Sequence, residues 1–434
     1  MAVAAAISLN ITEGETRAEI VDGLTLNAAG ALGLGASSNT DAESIAEGTA
    51  TGNTSVGVGA AVAINVVTPG TVARLGASTV TADGVSVEAV MTDVSSEVTD
   101  THTLKAEAKS GAAGDDVGVA GSVAINYVDL DADAMIVSGA SLTLQDGGDG
   151  DTDVGELGVK ARSITDTTTN ALPEGDGGMS GSVGVGASVA LALIFNDTTA
   201  EIQDGAVLAG TPGAVEVEAV GLHEIGTEAK NGAKGDTGVG ASVAIAIVEN
   251  HTLARVGTGA TLAVAGDGSV RAEHKSDLDT KVSSEAEGSD AAVGASVGVN
   301  VVDDTASAVL ARSLTAGGNV TVETQAELSS KLNVQASAGG SDDMDDDADT
   351  EAGNQTNNNN NVTNNAGSQS LPSAEGERSG ADSQGKGESS TGSGGVGVAA
   401  AVAVNYVQLD NTATVQDGAD IDAAGSVSVG AKVH

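Results

Sequence analysis

The chain repeats itself. An aliphatic run closing on Asn or Ala returns seven times, with its last residue at Asn10, Asn65, Asn126, Ala192, Ala246, Asn300 and Asn405. The fullest copies run from Val56 to Asn65 (VGVGAAVAIN) and from Val183 to Ala192 (VGVGASVALA). Steps between copies are 54 to 66 residues, except the last, which is 105. Self-similarity at such a period marks a repeat architecture, in which each unit buries its apolar side against the next. A chain spent on copies of one unit presents a surface, a fibre or a spacer more readily than a single catalytic pocket.

Within a unit the order of signals is constant. Thirteen residues after the anchor position stands a turn glycine, at Gly23, Gly139, Gly205, Gly259 and Gly418. Ser313 replaces it in the sixth unit, and Gly76 comes two residues early in the second. Glycine at such a turn supplies a positive φ. A Gly-x-Val-x-Val phrase follows, as in Gly84-Val85-Ser86-Val87-Glu88 and Gly318-Asn319-Val320-Thr321-Val322. Its alternation predicts a half-buried strand with valine inward and the polar residue outward. The anchor run differs. Val56, Val58, Val62 and Ile64 share one face, and Gly57, Gly59, Ala61 and Ala63 the other. Neither face is polar, so the expectation is a strand covered on both sides, its Gly/Ala face meeting a neighbouring backbone. Glycine at every second residue and β-branched neighbours argue against a helix.

These signals predict an all-β fold. The expected architecture is a parallel β-solenoid (β-helix) of tandem ~55-residue repeats, two or three coils to a unit. At about 4.8 Å per coil it would be a rod on the order of 100 Å long. The alternative is a string of tandem antiparallel β-sandwich modules. Residues 1–338 carry the repeats anchored at 10, 65, 126, 192, 246 and 300, with an acidic loop inserted at 145–157. Residues 339–395 form a second insertion, rich in Asp, Asn, Ser and Gly. Such composition cannot bury a core and is expected to be disordered. Residues 396–434 make a final partial repeat. Both ends fall inside a unit and the first residues have no basic region, so the expectation is a piece of a longer array, without a signal peptide.

Charge narrows the partners. The net charge is -44, from 61 acidic and 17 basic residues. Nucleic acid and anionic membranes need a basic footprint, so neither is an expected partner. No apolar run approaches the roughly 20 residues of a membrane helix, and no membrane insertion is expected. There is no cysteine and no Trp, and only one Phe and two Tyr, so the core must come from Val, Ile, Leu and Ala. The lack of disulfides and thiolate sites leans toward a bacterial surface protein.

Candidate chemistry is sparse. Asp146, Asp149, Asp151 and Asp153 crowd the first insertion. Carboxylate oxygens suit Ca²⁺, which makes these four the candidate metal ligands. The likeness to an EF-hand loop stops at Val154, where that loop has its glycine, and at Lys160, where it has its bidentate Glu. The five His are scattered without metal-ligand spacing, and no Gly-x-Ser-x-Gly, His-Glu-x-x-His or P-loop occurs. No enzymatic activity is expected. A polysaccharide-active β-helix enzyme is the least favoured reading, and a calcium-responsive extracellular binding module stands between it and a structural role.

The phrases Asp83-Gly84-Val85-Ser86-Val87-Glu88-Ala89 and Ala316-Gly317-Gly318-Asn319-Val320-Thr321-Val322 resemble the β-helix repeats of filamentous haemagglutinin-type and autotransporter-like adhesins. The resemblance covers the chain outside the two insertions. It implies a right-handed parallel β-solenoid (β-helix) in an extracellular or cell-surface bacterial protein, a structural segment acting as stalk or adhesive filament. A solenoid end presents unpaired strand edges, so adjacent repeats of the same or a longer chain and end-to-end copies are expected partners, and the resemblance adds a cell-surface or glycan ligand.

Overall fold

The computed structural model describes residues 1–51, 55–91, 101–145, 155–174, 179–180, 182–339, 381–392 and 396–434. They are all-β, and every strand pairing among them is parallel. The antiparallel sandwich alternative is therefore set aside. One sixteen-stranded sheet carries most of the chain, beside two small sheets of four and three strands.

Each unit crosses this arrangement once. Its anchor strand is long, as in Ala2–Ile20, Val56–Leu75, Val117–Ile136, Val183–Ile202 and Val396–Val415. In the fifth and sixth units it is the second half of Val215–Val256 and of Gly268–Leu310. A turn leads to a strand of three or four residues, such as Thr79–Ala82 or Ser141–Leu144. A second turn leads to a long return strand, such as Leu157–Pro173 or Val320–Gly339. The anchor positions stack in one column: Asn10 pairs with Asn65, Asn65 with Asn126, Asn126 with Ala192, Ala192 with Ala246, Ala246 with Asn300 and Asn300 with Asn405. Two or three coils per unit was thus an overestimate. Seven anchor strands at about 4.8 Å spacing rise only ~29 Å, while strands of twenty residues reach ~66 Å across. The chain is broad and short where the sequence suggested a rod.

The anchor and return strands belong to one bent sheet because Val215–Val256 and Gly268–Leu310 run unbroken from one broad side to the other. At one end the two sides splay around the short strands. Leu75, Ile136, Ile202, Val256 and Leu310 fill that space with Leu142, Val87 and their equivalents. The turns there use Gly23, Gly139, Gly205 and Gly418 at φ of 78° to 85°, as their spacing predicted, whereas Gly76 and Gly259 turn without a positive φ. In the sixth unit the buried Arg312 precedes Ser313, and its guanidinium donates to the Gly257, Ala206 and Thr258 carbonyls. Those carbonyls belong to turns of the units stacked below it. Burial pushes the Arg312 pKa down from its ordinary value.

At the other end the two sides close to backbone contact. A Cβ built onto Gly59 would lie 2.0 Å from the Gly111 carbonyl oxygen, and one on Gly294 2.3 Å from that of Ser337. Only glycine fits there. This bears out the expected close approach of the Gly/Ala face and fixes which way the anchor strand points. Gly57, Gly59, Ala61 and Ala63 face inward, and Val56, Val58, Val62 and Ile64 face out. The expectation that both faces would be covered is not met: among the described residues nothing lies over the valine face.

The second insertion leaves the ladder in register, since Asn300 pairs with Asn405 across it. Ala381–Thr391, within the stretch assigned to that insertion, forms a strand paired with 328–338 of Val320–Gly339. Residues 340–380 lie outside the described residues.

Candidate functional site

The outward face of the anchor strands is the most distinctive surface of the molecule. One column on it reads Ile64, Ile125, Leu191, Ile245, Val299 and Val404, starting from Leu9. Columns starting at Val3, Ile7 and Ile11 run beside it in the same registers. The column from Val3 is valine in all seven strands. These four columns contain no charged residue, and the tyrosine hydroxyls of Tyr127 and Tyr406 are their only polar side-chain groups. Ile247 and Val293, in middle strands, remain 37% exposed. Between the columns of Val58 and Val62 runs a line of small residues, among them Ala60, Gly121, Ala187 and Ala241. Every aromatic residue of the chain is on this outer side: Tyr127 and Tyr406 within the columns, and Phe195 beside Tyr127 at a ring-centroid distance of 5.9 Å.

An acidic band borders the columns toward the turns, with Asp129, Asp131, Asp133, Asp197, Glu249 and Asp303. Burial, then the charges of Asp131, Asp197 and Glu201, pushes the Asp133 carboxyl up to about 6. Nearer the turn Arg255 donates to Glu201 and Asp204, at 2.5 and 2.7 Å. Arg255 and the Thr258 donors hold Asp204 at about 2.

The outward face of the return strands is charged instead. Lys160 reaches Glu216 at 2.6 Å, Lys105 reaches Glu43 at 3.0 Å and Lys275 reaches Glu327 at 3.2 Å, each across neighbouring strands. Asp166, Glu224 and Asp277 stand in register on three successive strands. They line two shallow open hollows of about 350 and 420 Å³. Among the described residues no group of three or more His, Asp or Glu is arranged to hold a metal ion. The calcium candidates Asp146, Asp149, Asp151 and Asp153 all lie outside the described residues.

The interior holds polar groups that the sequence reading did not bring together. His102 pairs in register with Thr165, and Thr165 with His223. The ring centroids of His223 and His274 are 5.9 Å apart. Asn196 donates to Asn250 at 2.8 Å, and Asn250 donates to Asp304 at 2.9 Å. His274 Nε2 lies 3.2 Å from Asp304 Oδ2, both side chains fully buried. Burial holds His102 down at about 4 and His223 well below the usual imidazole range. Thr165 and His223 hydrogen-bond at 2.8 Å and Thr252 and His274 at 3.0 Å, while His223 Nε2, His274 Nε2 and Asp304 Oδ2 are buried without a hydrogen-bond partner among the described residues. Sequence separations of 121 and 51 residues hid this cluster, and only the strand registers reveal it.

Geometry thus defines an all-β protein of stacked repeats with one apolar and one charged broad face. No family model, curated protein or solved structure matches the chain. Among the described residues no helix is long and apolar enough to cross a membrane.

Proposed function

We propose that the chain is a right-handed parallel β-solenoid with one coil per repeat unit, and that it works as a non-catalytic adhesive segment through its apolar broad face. Right-handed crossover between parallel strands is the physical default. The observation that carries the adhesive reading is the uncharged face of four aliphatic columns spanning seven strands. Contiguous apolar patches beyond a few hundred Å² are uncommon on soluble monomers and mark interaction sites. A stalk is the weaker half of the structural reading, because ~29 Å of rise is little for so long a chain. Placement in a large secreted or cell-surface bacterial protein rests on the adhesin resemblance and on the cysteine-free, acidic composition.

The test is uptake of a polarity-sensitive dye by the full chain, against a variant carrying Ile125→Thr, Leu191→Thr and Ile245→Thr. Threonine keeps the β-propensity of these outward positions. The wild type should bind dye strongly and the variant much less. Equal dye binding by both would remove the face from the function.

A further inference from the structure

We propose that the apolar face pairs with the same face of a second copy of this chain, giving a two-fold dimer. The inference rests on the reading of that face as the binding surface and names its occupant. Three observations carry it.

The first is area. From Val58 to Val66 the columns span ~26 Å along the strand, and seven strands span ~29 Å across it. The face therefore offers about 750 Å², and two such faces bury about 1,500 Å² together. That falls within the roughly 1,200–2,000 Å² of stable protein interfaces. The second is shape. The columns of Val58 and Val62 are ridges, and the line of Ala60, Gly121, Ala187 and Ala241 between them is a groove. A ridge beside a groove on a pleated sheet is complementary to its own two-fold image, packed at about 10 Å as in a β-sandwich. The third is composition. The chain's three aromatics all sit on this side, and two of them lie in the columns. Aromatic residues are enriched at protein interfaces, and here they line the edge of the face, with Phe195 in register with Asp129 and Glu249.

Charge selects between occupants. The face is neutral, yet its border holds Asp129, Asp131, Asp197, Glu249 and Asp303 on a chain of net charge -44. An anionic lipid surface would be repelled by that border. A second copy meets the same repulsion only at the rim, where salt screens it over about 10 Å at 0.1 M. Pairing through this face should therefore tighten as salt rises, whereas docking to a basic partner would weaken.

The experiment is sedimentation velocity on the full chain over a concentration series, in 0.05 M and 1 M sodium chloride. The expected result is a monomer–dimer equilibrium that shifts toward dimer at high salt. Ile125→Glu with Leu191→Glu should raise the dimer dissociation constant roughly a hundredfold or more, because burying unpaired carboxylates is costly. The Ile125→Thr, Leu191→Thr, Ile245→Thr variant should weaken it less and serves if the glutamates prevent folding. Val220→Glu, on the outward side of a return strand, should leave the dimer unchanged. A wild type that stays monomeric in high salt overturns the pairing. So does a dimer untouched by the substitutions on the columns. If that monomer still takes up dye that the threonine variant does not, the pairing fails while the adhesive face stands. If dye binding is also insensitive, both readings fall.

Discussion

The two broad faces of this molecule obey the same alternation rule and end with opposite surfaces. On the return strands the rule works as usual: Leu157, Val159 and Ala161 point inward, and Lys160, Arg162 and Asp166 outward. On the anchor strands both sets of alternating residues are apolar, and size decides. The facing backbones come so close near Gly59 and Gly294 that only small residues fit between them, glycine and alanine with Ser122, Ser188, Ser242 and Ser296 in the next inward column. The larger Val, Ile and Leu side chains are left outside. Thus a run with no polar face can still form a surface strand when one of its faces is thin enough for backbone contact.

The largest expected effect breaks the thin side of that comparison. Gly59→Val would drive a side chain into the Gly111 carbonyl and should destabilise the chain by about 3 kcal/mol or more, if it folds at all. Val62→Thr, outward on the same strand, should cost less than about 1 kcal/mol. Urea midpoints of the two variants check this, and similar losses at both positions would mean the strand is not oriented as described.

A medium effect sharpens the border of the apolar face. Asp133 has its carboxyl raised from an ordinary 3.8 to about 6. The folded state therefore holds this proton more tightly than the unfolded chain does. That contribution is complete below about pH 4 and is lost as pH rises through about 6. Asp133→Asn should accordingly stabilise the chain at pH 8 by about 1 kcal/mol, allowing for the solvent that still screens the group, with no gain near pH 3.5. Denaturation midpoints of both proteins at the two pH values decide it. An equal difference at both would assign the effect to packing rather than to charge.

The smallest effect belongs to the charged face. Lys160→Gln removes the 2.6 Å contact with Glu216 on an exposed surface. It should change stability by no more than about 0.5 kcal/mol. A larger loss that persists in 1 M salt would show that this face, too, relies on specific contacts.

The period was legible in the sequence because it is carried by the most regular strands. All seven anchor positions read from the sequence fall in one register column. The number of coils per unit was not legible, since the return strands turn polar inside. Ser163, Thr165, Thr167 and Thr169 are buried, and they replace the inward valines that would have announced a strand. Residues 230–235 likewise continue the strand Val215–Val256 with a polar residue, Asn231, buried on its inner side. The apolar columns were visible as residues and not as a surface, because alternation between two apolar sets does not say which set faces in. The buried cluster of His102, His223 and His274 had no local signal, since its members meet only through stacking.

Because each unit adds one strand to the anchor side, it also adds one row of four large side chains to the apolar face. A duplication within the gene would widen that face by about 4.8 Å, roughly 125 Å² at the width given above, without redesigning a single residue. Deletion of a unit would narrow it by the same step. The area of the apolar face is thus a matter of dosage, set by the number of repeats the chain carries.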